Sequence, residues 1–186
     1  MTALPNERPY IIADVEALPE GQRAELIDGD MYMLAAPQLI HQILSGQLSR
    51  IILNHIAEEG LPCKAIAAPF AVYIGGNEDN YNYVEPDISV ICDETKLTDK
   101  GCVGAPDWII EIVSPSSIQN DYMSKLSLYE RSGVREYWIV NPDSQMVRIY
   151  LFATGEAAAH TREYTFNDYI PVSICDGFRI RISDMI

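Results

Sequence analysis

The stretch Asp107-Trp-Ile-Ile-Glu-Ile-Val113 constrains this chain more than any other. It is apolar, rich in β-branched residues and of strand length, so it predicts a buried strand. Alternation puts Asp107, Ile109, Glu111 and Val113 on one face and Trp108, Ile110 and Ile112 on the other. Both faces are largely apolar, as in a central strand covered on both sides. Glu111 stands in its middle, where a carboxylate must be neutral, paired or bound to a metal. A second carboxylate, Asp87, lies in Pro86-Asp-Ile-Ser-Val-Ile-Cys92, which also reads as a strand. If the two runs pair, Asp87 and Glu111 converge on one cation.

A lysine completes the set. After Pro115, Ser116 and Ser117 are N-cap candidates, and Ile118 to Ser132 reads as a helix stopped by Gly133. Ile118, Tyr122, Leu126 and Tyr129 form its apolar stripe, and Lys125 projects inside it, an unusual place for a solvated cation. Two carboxylates and a lysine are the equipment of metal-assisted phosphodiester hydrolysis. The plainer alternative makes Asp87 a turn residue and pairs Glu111 with an arginine. Lys125 would then pair with Asp121 at the surface, worth only ~0.3–0.5 kcal/mol. If Lys125 instead serves the chemistry, Lys125→Ala is expected to abolish cleavage while metal affinity and melting temperature stay nearly unchanged.

Pro86-Asp87, Glu111-Ile-Val113 and the helical Lys125 resemble the PD-(D/E)xK superfamily of restriction-endonuclease-like nucleases. The ordinary motif has lysine two residues after the glutamate; Val113 stands there, so the resemblance implies a lysine relocated to the next helix. Longer blocks are similar to the bacterial Uma-type family of restriction-endonuclease-like proteins. They are Glu25-Leu-Ile-Asp-Gly-Asp30, Pro37-Gln-Leu-Ile-His-Gln42, Gly104 to Ser116 and Lys125 to Val140. The resemblance implies a mixed α/β (α+β) domain with a restriction-endonuclease-like core, a central mixed β-sheet flanked by helices. It implies Mg²⁺ at Asp87, Glu111 and the Ile112 carbonyl, with Mn²⁺ as substitute, and DNA as substrate. Lys125 would orient water or meet developing charge, and Glu25 would lie near the site.

His41 matches a histidine of the family block but reads as a helix-start residue packed beside the core. Asp107 shares a face with Glu111, yet four residues of strand span roughly 13 Å, too far for one metal. Asp121 either anchors the helix start or supports Lys125.

The 186 residues predict one domain over 1–186, large enough for a substantial core. The formal net charge of −14 argues against a protein that coats nucleic acid. It keeps open a catalytically inactive interaction or nucleic-acid-binding module on the same fold. No apolar run reaches membrane-span length and the N-terminus has no signal-peptide pattern, so no membrane partner and a cytoplasmic protein are expected. Cys63, Cys92, Cys102 and Cys175 lack metal spacing and read as reduced thiols.

Along the chain, residues 13–18 suggest a short helix. Two apolar runs around Asp28-Gly29-Asp30 predict a hairpin. Pro37 to Glu59 predicts a long helix with Ile40, Leu44, Gln47 and Ile51 as its main stripe. Residues 63–74 read as a bent strand or two short ones around Pro69, and 93–104 as a charged connection with a helical turn. Residues 136–152 read as a hairpin and 153–161 as a loop. Residues 164–166, 170–174 and 177–182 read as late strands; the last two suggest apolar edges, and hence a homodimer.

Overall fold

The computed structural model describes residues 3–5, 8–76, 79–114, 117, 120–153 and 160–186, with Asn120 described by its backbone alone. A short helix α1 (Ile12–Glu16) precedes the hairpin β1 (Ala24–Ile27) and β2 (Asp30–Met33). The turn between them places Asp28 at φ 53° and Gly29 at φ 83°. Two successive positive φ values suit a tight hairpin turn, and Asp-Gly is the dipeptide that tolerates them. The long helix α2 (Leu39–Glu58) follows. Its buried residues are Leu44, Ser45, Leu48, Ile52 and Ile56. Ile40 and Ile51 pack only at the margin, and Gln47 is half-exposed. The predicted stripe is therefore rotated: α2 docks by the row of residues spaced four apart, and Ser45 beside that row lines a polar cavity.

The chain then builds a six-stranded sheet. Residues 63–74 split at a cis Ala68–Pro69 bond into β3 (Lys64–Ala67) and β4 (Val72–Tyr73). Next come β5 (Ile88–Ile91), β6 (Leu97–Thr98), β7 (Gly101–Val103) and β8 (Trp108–Ile112). Helix α3 (Lys125–Ser132) crosses over to β9 (Glu136–Asn141), which turns into β10 (Met146–Leu151) and β11 (His160–Thr165). The order in the main sheet is β11-β10-β9-β8-β5-β3. Its β8–β9 pair is parallel and the other pairs are antiparallel, which makes the sheet mixed with one crossover at its centre. The stretch 93–104, expected as a connection, holds β6 and β7, which join β4 in a small β4-β7-β6 sheet; strands this short carry no readable alternation.

Strand β8 is buried at every position. Trp108, Ile110 and Ile112 meet α2 and the C-terminal segment. Ile109 and Val113 meet α3 and the hairpin. Trp108 and Trp138 stack edge to face at 5.0 Å in the first of these layers. The C-terminal strands β12 (Ile170–Pro171) and β13 (Arg179–Ile180) pair with each other. Ile170, Val172, Ile180 and Ile182 are buried against the α2 layer. The buried Glu136 carboxylate fastens this segment by accepting the N–H groups of Ser173 and Ile174 at 2.8 and 3.0 Å. The apolar edges on which a homodimer was expected are thus spent inside the core, and that expectation loses its support.

A second correction concerns the cysteines. Lys64 opposes Ile91 in the β3–β5 register, which sets Cys63 opposite Cys92, and the two form a disulfide rather than reduced thiols. They lie 29 residues apart in sequence, so only the strand pairing makes them neighbours. Cys102 and Cys175 are free and buried. No helix among the described residues is long and apolar enough to cross a membrane. Protein denatured without reductant should therefore label at two thiols, Cys102 and Cys175, and after reduction at all four. Four reactive thiols before reduction would show that the bridge does not form.

Candidate active site

The β5–β8 register places Ile88 opposite Ile110, so the next pair outward is Asp87 opposite Glu111 on one face of the sheet. Residues so opposed have Cβ atoms about 4.5–5.5 Å apart. One step further, Pro86 stands across from Ile112 and has no N–H for the ladder. The Ile112 N–H donates to Oδ2 of Asp87 at 2.7 Å. The same oxygen lies 3.0 Å from Nε2 of His41, in the first turn of α2. Asp87 is thus fixed from two sides through one oxygen.

Glu111 is fixed in the same manner. Its Oε1 receives the Lys125 ammonium at 2.9 Å and the Tyr129 hydroxyl at 2.8 Å. Lys125 also pairs with Oε2 of Glu25 at 2.8 Å and with Oδ1 of Asp121 at 3.5 Å. The other oxygen of Glu25 accepts the N–H of Glu85 at 3.0 Å. Tyr137 donates to the Asp121 carbonyl at 3.0 Å. Glu25, Glu111, Asp121 and Lys125 are all buried, none more than 4% exposed.

The inward lysine has a local cause. Asn120–Ser124 forms a π-helical turn that runs directly into α3, which Gly133 ends at φ 92°. Asp121, Lys125, Leu128 and Tyr129 are buried, while Tyr122 and Leu126 sit at the margin. The wide turn thus advances the buried face beyond the stripe a regular helix predicts. Ser116 and Ile118 lie outside the described residues. Ser117 exchanges hydrogen bonds with Ser114 instead.

Charge is unbalanced here. The cavity lining carries five carboxylates (Glu25, Glu85, Asp87, Glu111 and Asp121) against Lys125, Arg23 and one imidazole, so acids outnumber bases even with His41 protonated. Burial pushes the Glu111 carboxyl well above its ordinary range; Lys125 opposes the shift, and Asp87, Asp121 and Glu25 add to it. Asp121 is raised by burial too, against the pull of Lys125. For Lys125, burial disfavours the charge, but Glu111, Glu25 and Asp121 outweigh it and hold the ammonium protonated. His41 is likewise desolvated, yet its bond to Asp87 prevails and raises it.

These groups line a cavity of about 350 Å³ between α2, β1 and the β5–β8 notch. Among the described residues, Oδ1 of Asp87 and Oε2 of Glu111 make no hydrogen bond. No cluster of three or more His, Cys, Asp or Glu side chains among those residues forms a ready-made metal site. Two carboxylates with spare oxygens, in an anionic pocket, nevertheless fit a hard cation that takes its remaining ligands from water and phosphate.

The four sequence candidates Asp87, Glu111, Lys125 and Glu25 therefore meet in one cavity, with Ile112 on its wall. Glu25 faces the lysine, not solvent. His41 touches Asp87, more than the core-packing role read from sequence. Lys125 is not in an exposed pair with Asp121; it is buried among three acids. Asp107 lies apart, accepting the Cys92 N–H at 2.8 Å and pairing with Arg135 at 3.2 Å. Tyr129 was read only as part of the apolar stripe, and its hydroxyl gave no signal.

A mixed sheet with this notch defines a domain of the restriction-endonuclease-like fold. A crystal structure from Anabaena variabilis, described as a putative nuclease belonging to DUF820, matches with a TM-score of 0.74. It is 23% identical, over 95% of this chain and 97% of that one. The profile of the Uma2 family, described as "Putative restriction endonuclease", matches residues 12–183, and the chain belongs to that family. Two uncharacterized Synechocystis proteins are each 26% identical over 69% of this chain: slr1290, across 66% of its length, and sll1609, across 72%. The match thus spans just under two thirds of slr1290.

Removing the lysine should now be costly. Lys125→Ala leaves buried acids uncompensated, a loss of about 3–5 kcal/mol, or roughly 6–20 °C in melting temperature for a chain of this size. Lys125→Met combined with Glu111→Gln should recover part of it, because the amide carries no charge. A melting temperature within 2 °C of wild type for Lys125→Ala, at the ~2–4 °C per kcal/mol of such chains, would contradict the buried network.

Proposed function

We propose that this protein is a divalent-metal-dependent nuclease that hydrolyses DNA phosphodiester bonds at the Asp87–Glu111 notch. The observation that carries this reading is the opposed carboxylate pair, each acid anchored through one oxygen and leaving the other toward a shared cavity. Family membership supports a nuclease-like role. Asp87, Glu111 and the Ile112 carbonyl would hold the cation, Mg²⁺ by preference and Mn²⁺ as substitute. Bound there, it would supply Lewis-acid polarisation of the phosphate and a water of lowered pKa.

The chain's own residues do the rest. Ile112 and His41 orient Asp87, and Tyr129 and Lys125 orient Glu111. Lys125 stands beside the cation site, ready to align the attacking water and meet charge growing on the phosphoryl oxygens. Glu25 and Asp121 keep that ammonium protonated and aimed, as positioning residues. A second reading, an inactive module retaining the fold, is favoured by the net charge of −14, which opposes approach of a polyanion.

Plasmid and single-stranded DNA incubated with Mg²⁺, Mn²⁺ or chelator separate the two. Cation-dependent cleavage is expected. Calorimetric titration with Mn²⁺ should show a site that Glu111→Gln weakens at least tenfold, the usual scale of an outer-shell loss or more. Assayed well below its melting temperature, Lys125→Ala should keep Mn²⁺ binding and lose cleavage. Lys125→Arg should also fail, because a planar guanidinium cannot replace a compact ammonium. Cleavage by Lys125→Ala at the wild-type rate would remove the lysine from the mechanism, and no cleavage by wild type under any cation would favour the inactive module.

A further inference from the structure

The cavity poses a problem for a polyanionic substrate. Its buried cation, Lys125, is surrounded by three carboxylates and has little attraction to offer beyond them. Arg23 is the one arginine among the described residues lining the cavity, and its side chain is 40% exposed.

Arg23 is also well held. The Leu34 N–H bonds its carbonyl at 2.9 Å, extending the hairpin ladder by one pair, so Arg23 is fixed in the strand line of β1. Its NH1 donates to Oε2 of Glu85 at 2.8 Å. Glu85 is pinned in turn: Tyr83 donates to its other oxygen at 2.9 Å, and its N–H bonds Glu25. Among the described residues, the guanidinium has no partner besides Glu85, so most of its five donors are available. A planar fork oriented by a carboxylate, at the rim of an acid-lined cavity, suits bidentate binding of a phosphate.

Strand geometry says which phosphate. Arg23 and Glu25 are alternate residues on one face of the hairpin strand, a separation of roughly 6.6 Å. Glu25 contacts the lysine at the reaction centre. A duplex rises about 3.4 Å of helix axis per phosphate of each strand, and the winding backbone sets neighbouring phosphates further apart than that rise. The guanidinium is thus displaced from the cleaved phosphate by one or two positions. We propose that Arg23, aimed by Glu85 and Tyr83, grips a backbone phosphate flanking the scissile one and is the main electrostatic handhold for the substrate strand. The proposal rests on the nuclease reading above and adds to it how an acidic protein retains its substrate.

The test compares two substrates. A single-stranded decanucleotide has flanking phosphates, and bis(p-nitrophenyl) phosphate has none. With Mn²⁺ present, Arg23→Ala should lower kcat/KM on the decanucleotide about tenfold more than on the small diester, through KM rather than kcat. The logarithm of affinity against the logarithm of salt should become shallower by about one unit of slope, and Arg23→Lys should recover part of the loss. Equal losses on both substrates, or no loss on either, would overturn the proposal while leaving nuclease activity standing. Wild-type protein that neither cleaves nor binds the decanucleotide would instead remove the nuclease reading, and this proposal with it.

Discussion

The Lys125 ammonium joins parts of the chain that have little else in common. One carboxylate comes from the N-terminal hairpin, one from the central strand, and one from the turn leading into the lysine's own helix. Burying any one of these charges alone would be prohibitive, so the elements can close over the site only together. The same condition fixes angles. The hairpin must lie on the α3 face of β8, and α3 must present one particular side inward. Apolar packing alone would tolerate several arrangements there; the charge cluster tolerates few.

Much of this could be read from the residues. The run around Glu111 combines strand length with apolar character on both faces, while its pairing with the Asp87 run is only a condition in the sequence, which the β5–β8 register meets. The Asp28-Gly29 turn required no tertiary information, because its two positive φ values are a local matter. The inward place of Lys125 is legible from its position on an otherwise apolar stripe.

What escaped notice depended on long-range geometry. Cys63 and Cys92 become partners only through the β3–β5 register. The α2 stripe is not legible in the sequence because Ser45 belongs to the buried face for the sake of a cavity rather than a core. The C-terminal strands looked like free edges because nothing local announces that Glu136 will tie them down. The role of His41 is hidden in the sequence because its partner, Asp87, lies 46 residues away.

The π-helical turn at Asn120–Ser124 has a further consequence. A helix acts as a phase device: each residue advances the side-chain direction by 100°, and the total sets where a group points. A turn of wider gauge holds one more residue than regular winding would, at some loss of hydrogen-bond quality. Shortening that segment by a single residue would favour ordinary α-helical bonding and improve the local backbone. It would also turn everything beyond it by about 100°, swinging Lys125 away from the carboxylates that neutralise it. The irregularity therefore encodes an angle, and the length of this segment is as much a part of the candidate site as any side chain within it.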